Sequence, residues 1–142
     1  NTNQTFTYDA SAGTVTAAYG TATAKAHADT LFTAQDETDG LGTEGEVKFE
    51  GLKTILIKNV KAEAKNLLNQ TDWYITRKAE KNTAIPSAIT TWRDGIRTKQ
   101  AAMETSITNA SNTPALEILY TYTRQEDGSV TRPLGEFPEL GS

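Results

Sequence analysis

The chain has 142 residues, a size typical of one domain with one hydrophobic core, and 37% of the residues are hydrophobic against 23% charged. That balance is typical of a globular protein and not of a disordered one. With 14 basic and 18 acidic residues, and no cationic cluster denser than Arg77, Lys78 and Lys81, the sequence lacks the charge that holds a polyphosphate backbone. Nucleic acid is therefore not an expected partner.

The residue types that are missing exclude several classes of site. There is no cysteine, which excludes disulfides, thiolate metal sites and cysteine nucleophiles. His27 is the only histidine, so the usual zinc sites are excluded and a serine triad would depend on that one residue. No apolar run approaches the roughly 18 residues of a membrane span. We predict a protein that is not an enzyme, uses no cofactor and does not enter a membrane.

The first part of the chain, residues 1–57, predicts β-structure. Threonine alternates with Phe6, Tyr8 and Val15 around a glycine-containing turn, which predicts a β-hairpin and makes Phe6 and Tyr8 candidate interface residues. Residues 21–30 are compatible with a linker or with a third strand. Residues 36–45 hold three glycines and four carboxylates and predict a loop. Short strands are predicted over residues 47–49 and 52–57.

The middle part, residues 58–111, predicts a hairpin of two helices. Asn59 is the candidate N-cap of the first helix, which is expected to end near residue 71. The second helix is longer and begins at Pro86. Gly95 inside it predicts close packing against the first helix. The second helix carries an apolar stripe at steps of three, four and seven, made of Ile85, Ile89, Trp92, Ile96, Met103, Ile107 and Ala110.

The last part, residues 112–142, predicts a short helix, a β-hairpin and an extended tail. Thr113 is the expected N-cap of the short helix, and an Asp-Gly pair at residues 127–128 predicts the hairpin turn. Phe137 and Leu140 in the proline-containing tail are candidate interface residues. We predict a single α+β domain over residues 1–142, with an N-terminal β region, a central helical hairpin and a C-terminal β-hairpin with its tail.

Candidate site residues lie in the acidic loop and in the helical hairpin. The carboxylates of the loop could hold a calcium ion, although their spacing does not match an EF-hand and a solvated loop is the alternative. We expect both tryptophans to pack in the core. Arg93 and Arg97 lie one helical turn apart, where one could pair with Asp72 or Asp94. The weak metal candidates are Asp36, Asp39 and Glu44.

Four short stretches of the helical hairpin form a pattern, namely residues 67–73, 85–86, 91–93 and 96–97. On these stretches the chain resembles, over about residues 60–100, the phage tail assembly chaperone and tail-fibre assembly families. Trp92 stands where those families usually have tyrosine, and the motif lies mid-chain and not near the C-terminus. The resemblance assigns a structural role to Thr71, Asp72, Trp73, Trp92, Arg93 and Arg97.

The whole chain is also similar to virion-associated proteins of marine tailed phages, notably over residues 29–40 and 131–138. This likeness implies a virion structural protein of tail, tail-fibre or capsid-decorating type. Its partners would be copies of itself, as a homo-oligomer, and other virion proteins. One alternative is a tail-fibre assembly chaperone. The other is a small calcium- or glycan-binding adhesin, for which Tyr8, Tyr19, Tyr122 and the acidic loop would be the support.

Overall fold

The computed structural model describes residues 4–19 and 25–141. It confirms the predicted α+β class, with about 50% helix and 13% strand. Within the described residues, helices and two-stranded antiparallel sheets follow one another along the chain. The elements are β1 (Gln4–Asp9), β2 (Thr14–Tyr19), β3 (Thr30–Leu31), α1 (Ala34–Thr38), β4 (Val47–Phe49), α2 (Leu52–Asn69), α3 (Asp72–Lys81), α4 (Ser87–Asn109), α5 (Thr113–Tyr120), β5 (Thr123–Arg124) and β6 (Val130–Thr131).

The N-terminal hairpin is confirmed. Strands β1 and β2 pair in antiparallel register, with Phe6 opposite Ala17 and Tyr8 opposite Val15. The carboxylate of Asp9 accepts hydrogen bonds from the turn residues that follow it. Of the stretch 21–30, residues 21–24 lie outside the described residues and Thr30 begins β3.

Strand β4 is also confirmed, and it pairs with β3. The predicted loop over residues 36–45 is wrong in its first three residues, which end the short helix α1. The reason is a capping box, in which the Thr33 hydroxyl accepts the amide of Asp36 while the Asp36 carboxylate accepts the amide of Thr33. Two orphan amides of a helix start are thereby satisfied.

Helix α2 begins at Leu52, so the predicted strand over residues 52–57 and the predicted N-cap at Asn59 are both wrong. The four-residue spacing of Leu52, Leu56 and Val60 extends the apolar stripe back by two turns, because these side chains pack against the same buried cluster. Gly51 is the N-cap, and a side chain there would collide with the backbone of Ala28. The β-rich part of the chain therefore ends before residue 52.

The core lies mainly between α2 and α4, which pack antiparallel. The early part of α2 meets the late part of α4 at Val60 and Met103, and the late part of α2 meets the early part of α4 at Ala64 and Ile96. The predicted apolar stripe of α4 is confirmed by the burial of most of its members. The buried hydrophobic residues are Val60, Ala64, Ile89, Trp92, Ile96, Met103, Ile107, Ala110, Leu116 and Leu134.

The C-terminal part folds back on these helices. Asn112, not Thr113, caps α5, because its side-chain oxygen accepts the amide of Ala115 at 2.9 Å. The hairpin of β5 and β6 around residues 127–128 is confirmed.

The tail after β6 is bound to its own chain. The indole Nε1 of Trp92 donates to the carbonyl oxygen of Pro138 at 2.8 Å, and Phe137 packs against both buried clusters. Gly95 faces Pro138 of this tail, so its predicted packing against the first helix is wrong. Phe137 is therefore half-buried against its own chain, and its role as an interface residue stays a prediction.

Candidate interaction surface

Helix α3 was not predicted, and it is the longest described helix without a buried residue. None of its residues is buried. It begins with Asp72 and carries Lys78 and Lys81 in its last turn, an arrangement that favours the helix dipole. It ends at Asn82, which adopts the left-handed conformation with φ 52° and donates its amide to the carbonyl of Lys78. These end signals are the part of the sequence that could have revealed it.

A buried arginine fixes the corner between α2, α3 and α4. Arg93 is only 7% exposed. Its Nη1 donates to the carbonyl of Leu68 at 2.9 Å and to the hydroxyl of Thr71 at 2.7 Å, and its Nη2 pairs with the Asp72 carboxylate at 2.9 Å. The predicted pair with Asp72 is confirmed. One guanidinium thus satisfies the C-terminal end of α2 and holds the first residue of α3.

Arg97 has a weaker role. It pairs with Asp94 at 3.0 Å within α4, and both side chains are more than half exposed. Solvent-exposed pairs at this spacing contribute at most a few tenths of a kcal/mol, roughly. Of the two arginines in the motif, only Arg93 joins different elements.

The same corner turns Trp73 outward. Trp92 is buried as predicted, but Trp73 is 51% exposed, so its predicted place in the core is wrong. Because Asp72 is held toward Arg93, the next residue lies about 100° farther around the helix and faces away from the core. The ring of Trp73 stacks on Tyr74 at 3.8 Å between centroids, and the guanidinium of Arg77 lies 4.8 Å and 5.1 Å from the two ring centroids.

Helix α3 combines this aromatic stack with positive charge. Its cations Arg77, Lys78 and Lys81 form no ion pair within the described part of the chain. Asp72 is bound to Arg93, so Glu80 is the one other carboxylate on the helix. We call Trp73, Tyr74, Arg77, Lys78 and Lys81 the α3 face.

A second exposed surface is the acidic loop, residues 36–46, which includes the end of α1. Leu41 at its tip is 61% exposed. The loop is held internally, since the amide of Leu41 donates to the carbonyl of Asp36 at 2.9 Å and the amide of Glu44 to the carboxylate of Glu37 at 3.2 Å. A side chain at Gly42 would collide with the Phe32 ring. Internal hydrogen bonds and close packing therefore hold the loop in a defined conformation.

Two of the three weak metal candidates in this loop accept hydrogen bonds from neighbouring residues of their own chain. Asp36 accepts hydrogen bonds from Lys48 at 2.6 Å and from Thr33 at 2.9 Å, and Asp39 accepts one from Gln35 at 2.8 Å. Over residues 4–19 and 25–141, no group of three or more His, Asp or Glu side chains is arranged to hold a metal ion. Asp36, Asp39 and Glu44 are thus not brought together as ligands.

Acidification is expected to weaken the fold through Asp36. Its pKa lies at about 2, below the usual 3.8, because the Lys48 ammonium and then Thr33 bond to its charged form. A carboxylate whose folded-state pKa is depressed stabilises the fold above its unfolded pKa of about 3.9, and that contribution is lost as pH falls toward about 2. Urea midpoints should therefore drop more for the wild type than for Asp36→Asn over this window. Asp39→Asn is the control and should keep the wild-type drop, whereas parallel curves for all three chains would contradict the assignment.

The N-terminal hairpin presents a third exposed surface. Phe6, Tyr8 and Val15 are each about two-thirds exposed, and the pairing register places them on one face. The opposite face carries threonines. Phe6 and Tyr8 thus remain interface candidates. Leu140 is 40% exposed and lines a cleft of about 470 Å³ beside Trp92.

Two other clefts lie along the helices. One of about 420 Å³ is lined mostly by residues with polar side chains, among them Lys61, Lys65 and Arg93, whose guanidinium is already bound within the corner. The other, of about 300 Å³, is apolar and lies between α2 and α5.

No helix in the described part of the chain is long and apolar enough to cross a membrane. Comparison with protein-family models, with curated proteins and with solved structures gives no match.

Proposed function

We propose that this chain is a structural protein of a tailed-phage particle, in the tail, the tail fibre or the capsid decoration, and that it acts through protein–protein contacts. The observation that carries the proposal is the exposure of large apolar side chains on several separate parts of the chain. Among these parts are the N-terminal hairpin, β3 and β4 with the loop between them, and α3. Apolar patches of this kind are typical of surfaces that other proteins cover.

The N-terminal hairpin is the clearest case of an apolar surface that lacks support within the described chain. A two-stranded hairpin is marginally stable in water unless a further strand or a packed face supports it. Here the aromatic face of β1 and β2 remains open to solvent, and no third strand among the described residues pairs with either of them. Packing against a neighbouring copy or another particle protein would supply the missing support. The assignment to a phage particle rests on the likeness of the sequence.

Mass spectrometry of purified particles tests the proposal. Particles banded on a density gradient should contain the chain in a fixed ratio to the major capsid or tail protein. Removing loosely bound material with high salt before a second banding is the control. A ratio near zero after the second banding, with the chain abundant in the lysate, would overturn the particle assignment.

An assembly chaperone is the second candidate. The Thr71–Asp72–Arg93 corner supports it, because residues of the family-like motif contact one another and turn Trp73 toward solvent. A chaperone would co-purify with unassembled fibre protein and be missing from finished particles, so the same mass spectrometry separates the two candidates.

Of the three tyrosines that would support the adhesin alternative, Tyr8 is 66% exposed and its side chain forms no hydrogen bond with the described residues. Tyr122 donates its phenol to the carboxylate of Glu136 at 2.8 Å, which raises the pKa of that phenol. The side chain of Tyr19 lies outside the described residues. A melting temperature that does not move with calcium or glycans would argue against this alternative.

A further inference from the structure

The α3 face has the composition of a binding hot spot. Tryptophan, tyrosine and arginine are the residues that most often dominate the energy of protein interfaces. On α3 they are stacked together, so their side chains are already ordered before a partner arrives. Because α3 buries none of its residues in its own chain, internal packing does not explain this stack. The unpaired cations beside it favour a partner with carboxylates.

The acidic loop has the complementary composition. Its carboxylates at Glu37, Asp39, Glu44 and Glu46 are exposed and form no ion pair among the described residues. Asp36 is bound to Lys48 and serves the shape of the loop. Exposed Leu41 stands between these carboxylates, as the aromatic stack stands beside the cations of α3. An apolar centre with a charged rim of opposite sign is the pattern of two matching surfaces.

Along the chain, the acidic loop precedes α2 and the α3 face follows it, so the two surfaces are connected to opposite ends of this helix. The acidic loop leads through β4 to the start of α2, and α3 follows its end. With 18 residues, α2 is about 27 Å long. No ion pair joins the two surfaces within the described residues.

We infer that copies of this chain associate head to tail, with the acidic loop of one copy bound to the α3 face of the next. This contact uses two different surfaces of the chain, so a pair of bound copies keeps one free α3 face and one free acidic loop. Such a heterologous contact produces a ring where the rotation closes and a filament where it does not. The inference rests on the proposed function, since it names the partner and the contact through which a particle component would self-assemble.

Charge reversal on each surface tests the inference. Lys78→Glu with Lys81→Glu alters only the α3 face, and Asp39→Lys with Glu44→Lys alters only the acidic loop. Each double variant alone is expected to associate roughly tenfold more weakly than the wild type, or worse, because like charges then face each other. The two variants mixed should associate again, because every contact between them then joins surfaces of opposite charge. Analytical ultracentrifugation at low salt measures both.

Salt supplies an independent readout. The screening length is about 30 Å at 0.01 M and about 3 Å at 1 M ionic strength, so wild-type association should weaken as salt rises. The matched control is Lys99→Glu with Arg124→Glu, an equal reversal at two cations that belong to neither surface and form no ion pair among the described residues. This control should associate as the wild type does. Circular dichroism should show that every variant retains its helices.

Two results would overturn the inference. One is a wild-type chain that stays monomeric at low salt over the whole concentration range. The other is a mixture of the two double variants that associates no better than each alone. Neither result bears on whether the chain is present in purified particles, so the proposed function fails or stands on the mass spectrometry alone.

Discussion

Replacing Ile107 with alanine is expected to lower the free energy of unfolding by about 3 kcal/mol, within the range of about 2 to 5 found for large aliphatic residues in cores. Ile107 has no exposed surface and lies in the buried cluster with Val60, Met103 and Leu116. Alanine would remove three carbons from this cluster and leave a cavity where α2, α4 and α5 meet. Urea denaturation followed by circular dichroism measures the change.

Ile118→Ala is the matched control. Ile118 belongs to α5, next to the same cluster, but it is 61% exposed. Its replacement should change the free energy of unfolding by less than about 0.5 kcal/mol. Equal losses for the two variants would mean that the cluster around Ile107 does not form the core of the chain.

The fold was predictable where a local pattern and the tertiary packing agree. Helix α4 carries a long stripe of one period, and its stripe residues are buried against α2 and the tail. The hairpins at both ends follow from alternation and turn residues, which act over a few positions. In these segments, residues that are close together in the sequence determine the secondary structure.

The start of α2 shows where local patterns fail. The run Ile55–Leu56–Ile57 is compatible with a buried strand or with a buried helix, and period alone does not separate them. Residues that are distant in the sequence determine that this run forms a helix. The amide of Gly51 donates to the carboxylate of Asp29 at 2.6 Å, and the Thr54 hydroxyl donates to the same carboxylate at 2.7 Å. These bonds fix a helix start, and they join residues more than 20 positions apart.

The candidate surface was less predictable than the core, for a related reason. Helix α3 buries no residue, so it has no apolar stripe to reveal it. Its orientation depends on Arg93, which follows Asp72 by 21 positions, and the pairing of these two residues was predicted as one of two options. The exposure of Trp73 follows from that pairing, whereas the residue type alone favours burial.

Arg93→Ala is expected to cost about 2 to 3 kcal/mol, because it removes the charge-assisted hydrogen bonds and the ion pair that one buried guanidinium makes. The Thr71 hydroxyl, which is nearly inaccessible to water, loses its donor and keeps only its own hydrogen bond to the carbonyl of Leu68 at 3.1 Å. That carbonyl loses a donor as well. The carboxylate of Asp72 is half exposed, so water can replace the guanidinium there at a smaller cost. The loss should therefore arise mainly from the end of α2 and from the turn that leads to α3.

Arg97→Ala is the control for this variant, since it removes an arginine one turn away on the same helix. Its exposed pair with Asp94 should be worth less than about 0.5 kcal/mol. Arg93→Lys keeps the charge but has no planar fork to reach three oxygens at once, so its stability should lie between those of the wild type and Arg93→Ala. If Arg93→Ala and Arg97→Ala were equally stable, the corner would not hold α3, and the outward position of Trp73 would need another cause.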